Sequence, residues 1–231
     1  MIAANQTRRV SLRSLALLLV LSGAAVLQGC AVAAYLNAMF TPPETIDAKF
    51  EIPKHKTILV LVDDPAYRIN YAPVKIQLSK KLSKELTEHN LAMETIPYAK
   101  LQKFAAARHR DYNHLSNSEI GKALGADLVL NIQDTNFSLK DSPNSPIWTG
   151  RFTTQVKIID VEEGRLWPDD PHEGRVRATA KPDKHEMVEK GQTIKIANEL
   201  AKEMADTIAK LFYAHEGKSH FDLPESPNED Y

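Results

Sequence analysis

Two adjacent carboxylates of this sequence are candidates for binding a ligand. Asp63 and Asp64 directly follow residues 57–62, a β-branched and aliphatic run that is apolar on both faces. Such a run is typical of a central strand covered on both sides, and ligand sites in α/β sheets often lie at the carboxyl ends of strands. The pair is therefore a candidate binding site. A plain turn at the end of the strand is the structural alternative.

A second group of candidates lies between residues 167 and 174. His172 shares the polar segment 168–174 with Asp169, Asp170 and Glu173, a donor set that can hold a hard or borderline cation. A solvated loop is the alternative. Trp167, directly before this segment, is either an exposed aromatic that contacts a partner or a core residue at the edge of the sheet.

The sequence lacks the spacings of the common catalytic and metal sites. Its eight histidines are scattered, without an HExxH or a Cys/His pattern. It has no nucleophile-elbow motif, and Gly121-Lys122 lacks the other residues of a phosphate-binding loop. We therefore expect no catalytic residues, no resident metal and no cofactor.

The single cysteine, Cys30, follows an export signal. Arg8, Arg9 and Arg13 precede the apolar run 15–27, and a basic region followed by a short apolar core is the pattern of a removable signal peptide. A free thiol is a liability in an oxidising compartment, so an odd cysteine in an exported protein requires an explanation.

The residues at the end of the apolar run supply that explanation. Leu27, Gln28, Gly29 and Cys30 resemble the bacterial lipobox, with Gln28 standing where Ala or Ser is usual. The resemblance implies removal of residues 1–29, a diacylglyceryl thioether on Cys30 and an acyl group such as palmitate on the new amino terminus. Two or more acyl chains anchor a protein stably to a membrane. Ala31 implies, by the enteric sorting rule, the periplasmic face of the outer membrane.

Two questions about this segment stay open. Residues 15–40 are also long enough to form an uncleaved membrane helix, which needs about 20 residues. Residues 7–13 resemble a twin-arginine signal, which leaves the export route undecided between that pathway and the general one.

Composition and charge indicate one ordinary folded domain. The chain has 231 residues, 43% hydrophobic and 26% charged, with a formal net charge of −1 and no basic stripe, so we exclude nucleic-acid binding. Residues 30–54 contain several prolines and are predicted to form a tether. The domain is predicted at residues 55–213, followed by a polar, acidic and disordered tail at 214–231.

The first half of that domain is predicted to alternate strands and helices, which indicates an α/β layer. Strands are expected at residues 57–62, 91–96 and 126–132. A helix beginning at Pro73 has one apolar face, and another begins near Pro97. Ser116 and Glu119 have capping-box spacing, and Gly125 is a natural end for the helix Asn117–Leu124.

The second half changes to antiparallel patterning. Residues 150–161 alternate, with a turn at 162–164 leading into a hairpin, and residues 175–180 continue the sheet. Arg175 and Arg177 alternate on that strand and indicate a solvated face. A helix over residues 186–212 is predicted to place one stripe inward: Ile194, Ala197, Ala201, Met204, Ile208 and Leu211.

Two segments carry a resemblance to a group of periplasmic lipoprotein domains. Residues 121–130 are similar to the group's helix–G-A-D–strand element, and residues 159–167 to its strand–D-V-x-x-G–strand–W hairpin. The group includes the TolB N-terminal domain, the curli secretion lipoprotein CsgG and the LpoB-type activators of penicillin-binding proteins. The chain lacks the propeller repeats of full TolB and the long membrane-inserting hairpin of a curli-type pore.

The resemblance implies one domain, in two or three layers, with helices packed on a mixed sheet. It also implies an anchored, non-enzymatic factor that binds an envelope protein in cell-wall synthesis, secretion or envelope assembly. The alternative is an envelope lipoprotein that binds a small molecule or metal. An anchored hydrolase is the least supported reading, and the oligomeric state is left open.

Overall fold

The computed structural model describes residues 44–64, 66–69, 71, 73–108, 111–140, 148–180 and 192–217. The predictions for the signal peptide, Leu27, Gln28, Gly29 and Cys30, and for the tail beyond residue 217, lie outside these residues. The chain divides into a compact unit, Thr45–His215, and a second unit made of its two ends. The domain described below is the first unit. In the described ranges, no helix has both the length and the apolar character to cross a membrane.

The described ranges contain eight strands and four α-helices. The strands are β1 (Thr45–Ile46), β2 (Thr57–Asp63), β3 (Glu94–Thr95), β4 (Leu128–Lys140), β5 (Trp148–Asp160), β6 (Gly164–Trp167), β7 (Arg175–Ala180) and β8 (His215–Glu216). The helices are α1 (Pro73–Glu88), α2 (Tyr98–Ala107), α3 (Asn117–Leu124) and α4 (Gln192–Ala209), with a 3-10 turn at Tyr112–His114 between α2 and α3.

Six strands form one mixed sheet. Strand β2 pairs in parallel with β3 on one side and with β4 on the other, and β4 pairs antiparallel with β5. Strand β5 then has two antiparallel partners along its far edge: β7 beside residues 150–155 and β6 beside residues 158–160. Strands β1 and β8 form a separate two-stranded sheet. The predicted α/β class with a mixed sheet is confirmed.

Helices α1 and α4 cover one face of this sheet. The apolar face predicted for α1 is confirmed, because Val74, Leu78, Leu82 and Leu86 are all buried. The stripe predicted for α4 is wrong at Ile194, which is 49% exposed. The inward stripe includes these fully buried or nearly buried residues: Ile196, Ala197, Leu200, Ala201, Met204, Ala205 and Ile208.

Gly150 explains how closely α4 approaches the sheet. A Cβ atom at this position would lie 2.6 Å from a methyl carbon of Leu200 and 2.7 Å from one of Ile196. Because Gly150 has no side chain, α4 packs directly on β5, in the antiparallel half of the sheet formed by β4, β5 and β7.

Helices α2 and α3 cover the opposite face, but only over the parallel half of the sheet, which consists of β3, β2 and the beginning of β4. Leu59 and Val129 pack there among apolar residues of α2 and α3. The predicted capping box of α3 is present: the Glu119 amide donates to Ser116 Oγ at 3.2 Å, and the Ser116 amide donates to Glu119 Oε2 at 2.7 Å. Gly125 ends α3 with a φ of 78°, as predicted. The domain therefore has three layers over the parallel half of the sheet and two layers over the antiparallel half.

Part of the segment predicted as a tether lies within the folded unit. Ile52 is buried, and the ring of Phe50 stacks on that of Trp167 with centroids 6.2 Å apart. The amides of Lys49 and Phe50 both donate to the carbonyl oxygen of Leu211, at 2.8 and 3.2 Å. The beginning and the end of the unit therefore lie side by side.

Candidate functional site

Asp64 lies directly after β2, and its carboxylate contacts residues of the loop and of α1 that follow it. Its side chain is 1% exposed, and its Oδ2 lies 2.8 Å from Lys75 Nζ. It also accepts hydrogen bonds from the amides of Arg68 at 2.7 Å and Ile69 at 3.2 Å. Burial by itself would raise the pKa of this carboxyl, but these three donors hold its pKa below its usual range. These contacts fix the segment that follows β2 to the first turn of α1, which gives Asp64 a structural role.

Asp63 has a different environment one residue earlier. It is half-buried at the carboxyl end of β2 and lies in register with Gln133 of β4. Burial raises the pKa of its carboxyl, and the negative charge of Asp64 adds to this effect against the opposing charges of Lys75 and Lys157. The Asp63 carboxyl therefore holds its proton more tightly than a solvated aspartate does.

Four other polar side chains lie near Asp63, on β4, β5 and the 3-10 turn. Lys157 Nζ on β5 donates to Gln133 Oε1 at 3.3 Å. The pKa of the Tyr112 phenol is raised by burial and by the charge of Asp63, which places that phenol near the carboxylate. Asn131, the neighbour of Lys157 in register, is 2% exposed, and its Nδ2 has no hydrogen-bond partner within the described part of the chain.

We call these five residues the strand-end cluster: Asp63, Tyr112, Asn131, Gln133 and Lys157. Together they offer amide, ammonium and phenol donors around one carboxyl, a set that suits hydrogen bonding to a polar ligand. Across the described ranges, no three His, Cys, Asp or Glu side chains come together as a metal-binding group.

Trp167 and His172 lie elsewhere, separated from β2 by β4 and β5. Trp167 is 4% exposed and packs in the core, where its ring meets the edge of Phe212 at a centroid distance of 5.7 Å. In this conformation its indole is inaccessible to a partner. His172 is exposed in the turn between β6 and β7, and its amide donates to Asp170 Oδ1 at 2.8 Å. The structure therefore does not bring the four predicted site residues together.

A further polar surface, which the sequence patterns do not reveal, lies on the antiparallel half of the sheet formed by β4, β5 and β7. Residues of β7 alternate strictly between exposed and buried, with Arg175, Arg177 and Thr179 exposed. Thr153 and Gln155 of β5 are half-buried beside them, in register with Arg177 and Arg175. We call these five residues the arginine face.

No helix in the described part of the chain covers the arginine face. Helices α2 and α3 lie over β2 and β4, whereas α4 packs on the buried side of β7. Neither Arg175 nor Arg177 has an ion-pair partner among the described residues. The alternation of arginines was visible in the sequence, but only the paired sheet shows that these two cations border a continuous polar surface.

Comparison with known proteins gave matches among solved structures only. No protein-family model matches the chain, and neither does any curated protein. The lipoprotein GNA1162 from Neisseria meningitidis is 14% identical, with 61% of this chain and 91% of that chain covered and a TM-score of 0.37. A point variant of the PelC dodecamer from Paraburkholderia phytofirmans is 10% identical, with 74% of this chain and 99% of that chain covered and a TM-score of 0.41.

The LpoB C-terminal domain from Salmonella enterica is also similar. It is 13% identical, with 57% of this chain and 86% of that chain covered and a TM-score of 0.34. LpoB belongs to the group that the sequence resembles, and the matches include other bacterial lipoproteins. A likeness at this level says nothing about function.

Proposed function

We propose that this protein is a lipid-anchored factor of the bacterial cell envelope that binds another envelope protein and performs no catalysis. The location rests on the export signal and on the lipobox-like residues Leu27, Gln28, Gly29 and Cys30. The observation that carries the binding role is the arginine face, a polar and cationic sheet surface left uncovered by the described helices.

Three properties of this surface favour protein binding. Arginine is enriched at protein interfaces, because its planar guanidinium binds carboxylates through two parallel hydrogen bonds. The hydroxyls of Thr153 and Thr179 beside it can donate and accept further bonds. The surface also lies on a rigid sheet whose other side is fully packed, so little conformational freedom is lost when a partner binds.

The anchor is tested by the intact mass of the protein purified from bacterial membranes. We expect the wild type to lack residues 1–29 and to carry a lipid on Cys30, sedimenting with the outer membrane. Cys30→Ser should remain unlipidated and lose this association. A native protein that retains its leader and an unmodified thiol would contradict the anchor.

The binding role is tested by site-specific photo-crosslinking in living cells. A photoreactive amino acid replaces Thr179 on the arginine face, and in a matched control replaces Lys84, which is exposed on α1. We expect a defined crosslinked envelope protein from position 179 and not from position 84. An anchored protein that gives no crosslink from position 179 would refute docking at this surface.

A second candidate function is the binding of a polar small molecule or metal ion at the strand-end cluster. The buried Asn131 amide favours it, because an unpaired buried donor costs about 1–3 kcal/mol and a ligand oxygen would satisfy it. Soluble peptidoglycan fragments and divalent metals are suitable probes in a thermal-shift assay. A shift lost in Asn131→Leu but retained in His172→Ala would support this site, whereas a metal-induced shift lost in His172→Ala would support the turn instead.

A further inference from the structure

Strand β7 lies at an open edge of the sheet in the part of the chain that the structure describes. It pairs with β5 along one side, and no described strand pairs with the other side. Backbone N–H and C=O groups along an open edge can accept an additional strand from another chain. The parallel half ends differently, in the two-residue strand β3, which is too short to accept an extended segment.

The side chains of β7 would determine which residue types an added strand must carry. Arg175, Arg177 and Thr179 lie in one row, and Val176, Ala178 and Ala180 lie in the row that packs under α4. On one face of an antiparallel pair, opposite residues have Cβ atoms about 5 Å apart. Acidic residues at alternate positions would therefore reach the two guanidinium groups, and the residues between them would extend the apolar row.

We propose that the partner binds by adding an extended segment, with acidic and apolar residues in alternation, to the free edge of β7. Its carboxylates pair with Arg175 and Arg177, while its backbone continues the ladder of the sheet. This inference rests on the proposed protein-binding function and names the chemistry of the partner at the same surface.

Charge complementarity selects this occupant over two others. A second copy of the chain, pairing edge to edge through β7, would set the arginines of both copies side by side, and like charges across a strand pair are destabilising. An anionic membrane could attract the two arginines, but lipid headgroups cannot complete a backbone ladder. Only an acidic extended polypeptide satisfies both the side chains and the edge.

The probe is a synthetic peptide of about eight alternating Glu and Val residues, the length of an ordinary strand. It is titrated onto the full lipidated protein in detergent. Two altered peptides accompany it: one with Gln in place of Glu, and one N-methylated at every second residue so that its backbone cannot pair.

We expect the Glu peptide to bind and to slow amide hydrogen exchange along β7. Arg177→Gln should weaken this binding about tenfold, as expected for the loss of one charge-assisted pair. The matched control is Arg165→Gln, which removes an exposed arginine from β6 and should leave binding unchanged. Equal binding of the Gln peptide, or of the N-methylated peptide, would overturn the proposal.

Two further measurements separate the other occupants. Self-association that depends on Arg177, or binding to phosphatidylglycerol-containing vesicles without peptide binding, would replace the acidic segment with a second copy or with lipid. A crosslink from position 179 in cells, combined with failure of the Glu peptide, would refute strand addition while leaving the docking function intact. Loss of both results would refute the function itself.

Discussion

The two sides of the antiparallel half of the sheet differ in what they contribute to the molecule. On the inner side, Phe152, Val156 and Val176 are buried against α4. On the outer side, the same strands present the polar arginine face. Apolar burial supplies most of the stability of a fold, whereas exposed positions tolerate substitution at little cost. One pair of strands therefore separates the residues that hold the fold from those available for recognition.

The largest effect should come from the inner side. Phe152 is fully buried and meets Phe137 edge to face, with centroids 5.3 Å apart. We expect Phe152→Ala to lower the free energy of unfolding by about 3–5 kcal/mol, because it leaves a cavity in the core. Its outer neighbour provides the contrast: Thr153→Ala should cost at most about 1 kcal/mol. Urea denaturation measures both, and equal losses would contradict the division between the sides.

The aspartate pair sharpens the comparison at the parallel half. Asp64→Asn removes one charge of a buried ion pair and should lower the free energy of unfolding by about 3 kcal/mol. Asp63→Asn should leave stability unchanged or higher at neutral pH, since burial disfavours the charged form of that carboxyl. Thermal unfolding of the two variants beside the wild type is the measurement. A large loss in Asp63→Asn would contradict this assignment.

The two aspartates should also differ in their dependence on pH. The folded pKa of Asp64 lies below the unfolded value of about 3.9, so its stabilisation is present above that value and is lost as the pH falls through the folded pKa. The folded pKa of Asp63 lies above its unfolded value, so its ionised form costs stability at neutral pH. Any advantage of Asp63→Asn over the wild type should therefore disappear below about pH 4. Denaturation at a series of pH values tests both signs.

The stability of α3, one of the two helices that cover the parallel half, depends on its N-terminal cap. Ser116→Ala removes the hydroxyl that accepts from the Glu119 amide, and we expect a loss of about 1 kcal/mol in the free energy of unfolding. Ser118→Ala is a matched control two residues later inside α3, where alanine is the better helix former. A cap that contributes nothing would give both variants the same stability.

The smallest effect should come from the outer side. Arg177→Gln removes an exposed side chain without an ion-pair partner in the described ranges, so stability should change by no more than about 0.5 kcal/mol. The same substitution should reduce the crosslink from position 179 about tenfold, in line with the loss of one charge-assisted pair. A variant that unfolds more easily and also loses its partner would not separate recognition from stability.

Local signals allowed much of the fold to be predicted. The apolar face of α1, the cap at Ser116 and the end of α3 at Gly125 each follow from residues a few positions apart. Strand β4 was predicted to end near Ile132 but continues to Lys140, because pairing with β5 carries its polar second half. Ile194 was misplaced because the periodicity of a long amphipathic helix does not fix which of two adjacent stripes meets the sheet.

The binding surface was predicted less completely for the same reason. Asp63 and Asp64 are visible in the sequence as a strand end, yet the opposite pKa shifts of their carboxyls depend on the folded chain. Burial raises the pKa of Asp63, whereas Lys75 and the amides of Arg68 and Ile69 lower that of Asp64. The arginine face requires two strands in register and a knowledge of which face the helices leave open. The lipid anchor remains a prediction from the sequence.

The hydrogen bonds from Lys49 and Phe50 to Leu211 have a consequence for the order in which the segments of this domain can be joined along a chain. Because the unit begins and ends at one place, a short linker between those points would close the chain into a ring, and the exposed turn residues 162–163 would offer a site for new termini. A circularly permuted chain would keep every layer of the core. The same adjacency lets the domain be carried as an insertion within a longer polypeptide without separating its strands.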